Sequence, residues 1–177
     1  METVRVGGEV KRISLLFFSL LMFGLVFGPV ARAEKPVLGW LEKAVILPYG
    51  FTLDAKLDTG ADNTSLDARD IKVIHRDGKN ILRFNVDDRQ GKTYTLERGQ
   101  VGIELVPQHV GDDAERPLIV LEICIGSECR NTLVNLVDRS KKKYPLLVGR
   151  SFMLDRVLIH SGREYLTQPR AGAGNKQ

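Results

Sequence analysis

Histidine, cysteine and tryptophan are scarce in this chain, at three, two and one of its 177 residues. His75, His109 and His160 are scattered, and no His-Glu-x-x-His spacing sets two imidazoles on one helix face. Two cysteines supply at most half of a structural zinc centre. A phosphate-cradling loop of the Gly-x-x-x-x-Gly-Lys-Ser/Thr kind is also missing. The residues therefore give no reason to expect a metal or any other cofactor. Neither sign of charge dominates: with the first 33 residues set aside, 22 basic residues stand against 20 acidic ones. A balance so close to neutral argues against nucleic acid as a partner. No internal repeat is visible.

Long apolar runs are equally rare. The only one, from Ile13 to Ala31, carries no charge, follows Arg5, Lys11 and Arg12, and ends in Ala31-Arg32-Ala33. A basic start, an apolar middle and a small-x-small close read as an export signal over residues 1–33, removed after Ala33 to leave 144 residues. The expectation is a periplasmic protein without stable membrane contact. An N-terminal membrane anchor is the alternative, because the run is just long enough to span.

What the chain does have is a series of short β-rich runs divided by turn residues. Ala44 to Leu47 and Phe51 to Leu57 flank Pro48-Tyr49-Gly50, and Ile71 to His75 and Asn80 to Val86 flank Asp77-Gly78, a strong hairpin signal. Thr93 to Leu96, Val101 to Val106, Leu118 to Ile125 and Thr132 to Val137 continue the pattern, and Val157 to Ile159 reads as a last strand. Ser151 to Asp155 reads as a short helix, and His160-Ser161-Gly162 as a turn. Lys141-Lys142-Lys143 is most simply a solvated loop. The pattern is that of an all-β domain over residues 34–168, a small closed barrel with one brief helix, followed by a disordered tail over 169–177. Cys124 and Cys129 flank a turn-like segment, so in an oxidising compartment they are either a cross-hairpin disulfide or two free thiols.

Two stretches carry chemistry. Leu57-Asp58-Thr59-Gly60-Ala61-Asp62-Asn63 is an apolar approach that stops at a turn displaying a carboxylate, with Gly60 allowing a close backbone approach. Leu146-Leu147-Val148-Gly149-Arg150 is an apolar run ending in Gly-Arg. In this order the two resemble the retropepsins, aspartic peptidases of the retroviral type. The resemblance is nearest to the bacterial retropepsin-like family often labelled "ATP-dependent zinc protease", and it runs from about Trp40 to Tyr165.

That resemblance implies a retropepsin-like (acid protease) barrel that works as a homodimer on a peptide or protein substrate. Asp58 would be the catalytic acid and base, within an active-site loop that includes Thr59, Gly60 and Ala61. The Thr59 hydroxyl would link the loops of two chains, Asp62 and Asn63 would bind substrate, and Gly149 and Arg150 would support the loop. A buried or half-buried Asp62–Arg150 ion pair follows from the same comparison. The segment from Pro107 to Glu115 takes the place of the mobile flap, unless it is an ordinary surface loop. The interval between Gly60 and Arg150 is longer than in the viral enzymes, and the hairpin from Ile71 to Val86 accounts for the excess.

One carboxylate is not enough for this hydrolysis. One Asp must activate water while a second, protonated, polarises the scissile carbonyl. The chain holds one Asp-Thr-Gly, so the second Asp58 would come from another copy across a twofold axis. The reading is an aspartic endopeptidase of the bacterial cell envelope. The alternative is a non-catalytic peptide-binding domain that keeps the fold.

Overall fold

A computed structural model describes residues 34–107 and 113–169; residues 1–33, read above as an export signal, 108–112 of the segment read as a flap or a surface loop, and the expected tail beyond 169 lie outside it. The described part forms one compact unit that begins at Lys35.

Strands β1 (Val37–Leu47) and β2 (Phe51–Leu57) pair antiparallel from Leu41↔Lys56 to Ile46↔Phe51. In β2 the period is two: Phe51, Leu53, Ala55 and Leu57 are buried, while Thr52, Asp54 and Lys56 are not. The turn between them needs Gly50, which has φ +76° and donates its N–H to the Ile46 carbonyl at 2.8 Å. Next come β3 (Thr64–Asp67), β4 (Arg69–Arg76), β5 (Lys79–Asp87), β6 (Thr93–Gly99), β7 (Gly102–Val106), β8 (Ala114–Ile125), β9 (Glu128–Val137) and β10 (Leu146–Val148). A single helical turn, α1 (Arg150–Met153), precedes β11 (Leu158–Glu164).

The large sheet has the order β11-β1-β2-β10-β3-β9-β8-β7, and β1 also pairs with β8 from Ala44↔Ile125 to Leu47↔Glu122. That last ladder closes six strands, β1, β2, β10, β3, β9 and β8, into a barrel, with β7 and β11 as outer strands. Strands β4, β5 and β6 make a separate sheet, whose inner side chains Leu82, Phe84, Val86 and Leu96 share one buried cluster with Ile46, Leu53, Leu66, Ile123 and Phe152 of the barrel and helix. Burying each large side chain of this cluster contributes about 1.5–3 kcal/mol. The all-β barrel with one short helix is therefore as expected, and the added β4–β5 hairpin belongs to the second sheet.

Several boundaries move. His160-Ser161-Gly162 lies inside β11, not in a turn, because the chain continues in parallel pairing with β1 at Gly39↔His160. The strands come so close there that a Cβ on Gly39 would sit 2.6 Å from the Arg163 carbonyl oxygen. The helix begins at Arg150 and stops at Met153, short of Asp155, whose φ of +59° is incompatible with a helical turn. β8 starts at Ala114, so Ala114 and Glu115, read above as the end of the flap or surface loop, are strand residues paired with Val106 and Leu105 of β7. Cys124 and Cys129 are a register pair of β8 and β9, with Cα atoms 4.0 Å apart, and are joined by a disulfide.

Candidate active site

Asp58 is the first residue past β2, and its N–H donates to the Val148 carbonyl at 2.9 Å, which fixes the turn against β10. Its Oδ1 accepts the Gly60 N–H at 3.0 Å, and its carbonyl accepts the Ala61 N–H at 3.2 Å. The carboxylate thus organises its own turn. Oδ2 faces the Lys56 ammonium at 3.3 Å. Thr59 and Gly60 are exposed at the rim.

The Gly-Arg segment lies under this loop. The Arg150 N–H donates to the Ala61 carbonyl at 2.8 Å, the Ser151 N–H to the Asp62 carbonyl at 3.0 Å, and the Gly149 N–H to Thr64 Oγ1 at 3.2 Å. Nothing larger than glycine fits at 149: a Cβ would lie 2.4 Å from the Asn63 carbonyl oxygen and 2.6 Å from that of Asp62. The Arg150 guanidinium donates to the Thr59 carbonyl at 2.8 Å and pairs with Asp62. The pair exists but is not buried, with side-chain exposures of 47% and 80%. Both partners sit on the outer side of the loop, where solvent screens them.

Asn63 is directed to the outer hairpin, where its Nδ2 donates to Glu104 Oε1 of β7 at 2.8 Å. Glu104 Oε2 accepts from Asn135 Nδ2 at 2.5 Å, so one carboxylate ties β7 to both the loop and β9. Beside Asp58 opens a cleft of about 480 Å³ walled by Lys56, Arg139, Lys142, Lys143, Tyr144 and Leu147. Asp62 and Asn63 are not among its walls. Two members of the triple lysine, read from sequence as solvent-facing, are exposed and at the same time line this cleft. Partial burial pushes the Arg139 guanidinium below its ordinary range, an effect opposed by Asp67. The Tyr144 hydroxyl raises Lys143. Sequence reading missed Lys56, Glu104, Arg139, Lys142 and Lys143. Only the position of Lys56, two residues from Asp58 on the same strand face, offered a signal. Among the described residues no three His, Cys, Asp or Glu side chains come together in a way that could hold a metal ion.

A family model described as RimB-like, retropepsin-like aspartic endopeptidase RimB, matches residues 37–170. The chain belongs to that family. Members of this family are named as aspartic endopeptidases, and the Asp-Thr-Gly turn resting on Gly149-Arg150 sits within the matched span. A crystal structure of a protein of unknown function from Legionella pneumophila is 34% identical, with a TM-score of 0.68, covering 76% of this chain and all of that one. A curated protein of Desulfotalea psychrophila, named a probable alpha-L-glutamate ligase, is 24% identical over 110 residues. That match takes in 60% of this chain and spans about a quarter of the relative, 24% of its length.

Proposed function

We propose that the chain is an aspartic endopeptidase of the cell envelope that works as a homodimer, each copy giving one Asp58 to a shared pair of carboxylates, and that it prefers acidic peptides. The observation that carries this reading is the Asp58 turn itself. A carboxylate held by the Gly60 N–H and the Lys56 ammonium, on a backbone tied to Val148 and Ala61 and resting on Gly149-Arg150, stands beside exposed Thr59 and Gly60. An exposed turn of this kind suits a second, identical loop meeting it across a twofold axis.

In the pair, the ionised carboxylate takes a proton from water as the water oxygen attacks the scissile carbonyl carbon. The protonated one gives its proton to the carbonyl oxygen, so a neutral tetrahedral diol forms. The carboxylate left ionised then takes a proton from one hydroxyl of the diol as that oxygen re-forms the carbonyl, and the C–N electron pair takes a proton from the other carboxyl as the amine leaves. Two like charges so close cannot both ionise, which keeps one proton in the pair.

Acidic specificity follows from the wall, since Lys56, Arg139, Lys142 and Lys143 surround the cleft beside a single acid. The ligase relative is named for glutamate, an acidic residue, which points the same way. The Cys124–Cys129 disulfide suits the oxidising envelope that the leader implies.

The test is to incubate residues 34–177 with matched acidic and neutral peptide libraries, beside an Asp58→Asn variant. Cleavage should fall on acidic peptides and vanish in the variant. Binding of acidic peptides by both proteins, with no cleavage by either, would identify a binding domain.

A further inference from the structure

The basic wall of the cleft is not self-supporting. Its loop, residues 138–143, has few contacts of its own: the Lys142 N–H reaches the Arg139 carbonyl at 2.7 Å, and Asp138 caps the Ser140 N–H at 2.8 Å. What fills the inside of the loop is a side chain from the other sheet. Arg89, in the turn between β5 and β6, extends its guanidinium among three loop carbonyls. Nη2 donates to Arg139 at 2.8 Å, and Nη1 donates to Lys143 at 2.8 Å and also to Lys142. The same Nη2 lies 3.1 Å from Asp67 Oδ2, and Asp67 Oδ1 accepts the Arg139 N–H at 2.7 Å. Asp67 is 1% exposed and ends β3, the strand that begins just after the active-site loop.

The turn that presents Arg89 is built to hold it. Arg89 has φ +59°, a left-handed conformation that an ordinary side chain rarely adopts. Asp87 Oδ1 accepts the Arg89 N–H at 2.6 Å, and Asp88 Oδ1 accepts the N–H groups of Gln90 at 2.7 Å and Lys92 at 3.1 Å. A planar guanidinium with donors on both Nη atoms satisfies several acceptors at once, which a single ammonium cannot do in the same geometry.

We propose that Arg89 is a positioning residue for substrate specificity: by gathering the carbonyls of Arg139, Lys142 and Lys143 onto its guanidinium, it aims their side chains into the cleft beside Asp58. The three-stranded sheet thereby acts on the cleft without lining it. This inference rests on the acidic-peptide reading of the cleft, and its test separates the two.

The triple lysine makes the loop its own reporter, because trypsin cuts after lysine only where the backbone can open. In the full mature chain, Arg89→Met and Arg89→Lys should both speed tryptic nicking at 141–143 about ten-fold or more, as expected when local opening becomes easier. In the same variants KM for an acidic peptide should rise about five-fold or more while kcat stays within about two-fold, the pattern of lost ground-state binding. Lys142→Ala with Lys143→Met should reproduce the KM change with Arg89 intact and no opening of the loop around Arg139. A loop that loosens in Arg89→Met while KM holds would overturn the proposal, as would an Arg89→Lys variant equal to wild type in both readouts. Wild-type protein that neither cleaves nor binds acidic peptide would overturn the acidic-peptide reading instead, and the nicking comparison would still judge whether Arg89 holds the loop. If Arg89→Met does not fold, Arg89→Lys carries both measurements.

Discussion

Gly149 and Arg150 are adjacent, and the structure gives them unequal weight. The exposed Arg150–Asp62 pair is of the kind that contributes under about 1 kcal/mol. The backbone bonds from Arg150 and Ser151 to the loop carbonyls do not depend on that side chain. Gly149 has no such tolerance, since an added methyl meets backbone atoms of Asp62 and Asn63, and backbone cannot rotate aside. Gly149→Ala should therefore cost about 1–3 kcal/mol, as overpacking does, and displace the loop that carries Asp58. Arg150→Met should leave the urea midpoint nearly unchanged. Equal midpoints for Gly149→Ala and wild type would mean that the two segments are not in contact in solution.

At the level of elements, the strands were legible wherever turn chemistry bounded them. Asp77-Gly78, with φ values of +50° and +70°, sits between β4 and β5 as its residue types require. The partnerships were not legible. β3 is polar at three of its four residues yet wholly buried, because β10 and β9 enclose it from both sides. Nothing local marks Leu146–Val148 as the strand that joins β2 to β3, since parallel ladders link segments distant in sequence. The role of Glu42 was hidden for the same reason. Buried in β1, its Oε1 accepts the N–H groups of Gly39 at 2.7 Å and Leu166 at 2.9 Å, and its Oε2 accepts the Thr167 N–H at 3.2 Å and hydroxyl at 2.9 Å. This clamp fixes the chain leaving β11. In Glu42→Gln either amide orientation turns an NH₂ group toward N–H donors, so the cost should be on the order of 2–4 kcal/mol. Hydrogen exchange at Leu166 and Thr167 should speed up well before global unfolding. Unchanged protection at both amides would show that the clamp is not what holds the strand.

For the whole molecule, catalysis as proposed makes one chain an incomplete site, and activity must then follow association. Diluting the wild type below its dimer dissociation constant should abolish the rate by mass action. Equal mixing with Asp58→Asn chains should leave roughly a quarter of the pairs with two carboxylates, below the half expected if chains acted singly. The rate should be bell-shaped in pH, because full deprotonation removes the acid and full protonation removes the base. The fold sets a floor to that range. Glu97 is held below its ordinary 4.5 chiefly by the Arg83 hydrogen bond, and Asp88 below 3.8 by the backbone N–H groups of Gln90 and Lys92. Asp138 is held below 3.8 by the Ser140 hydroxyl first and by its backbone N–H second. A carboxylate lowered in the folded state stabilises it above the unfolded value and loses that contribution as pH falls through the folded value. The turn that presents Arg89 and the loop that it gathers should therefore weaken as pH falls below the ordinary 3.8 and through the lower folded values at which Asp88 and Asp138 take up protons. Loss of rate in that range should come with faster opening at 141–143. A rate strictly proportional to chain concentration down to nanomolar levels, and unmoved by Asp58→Asn, would leave the paired-carboxylate mechanism without support.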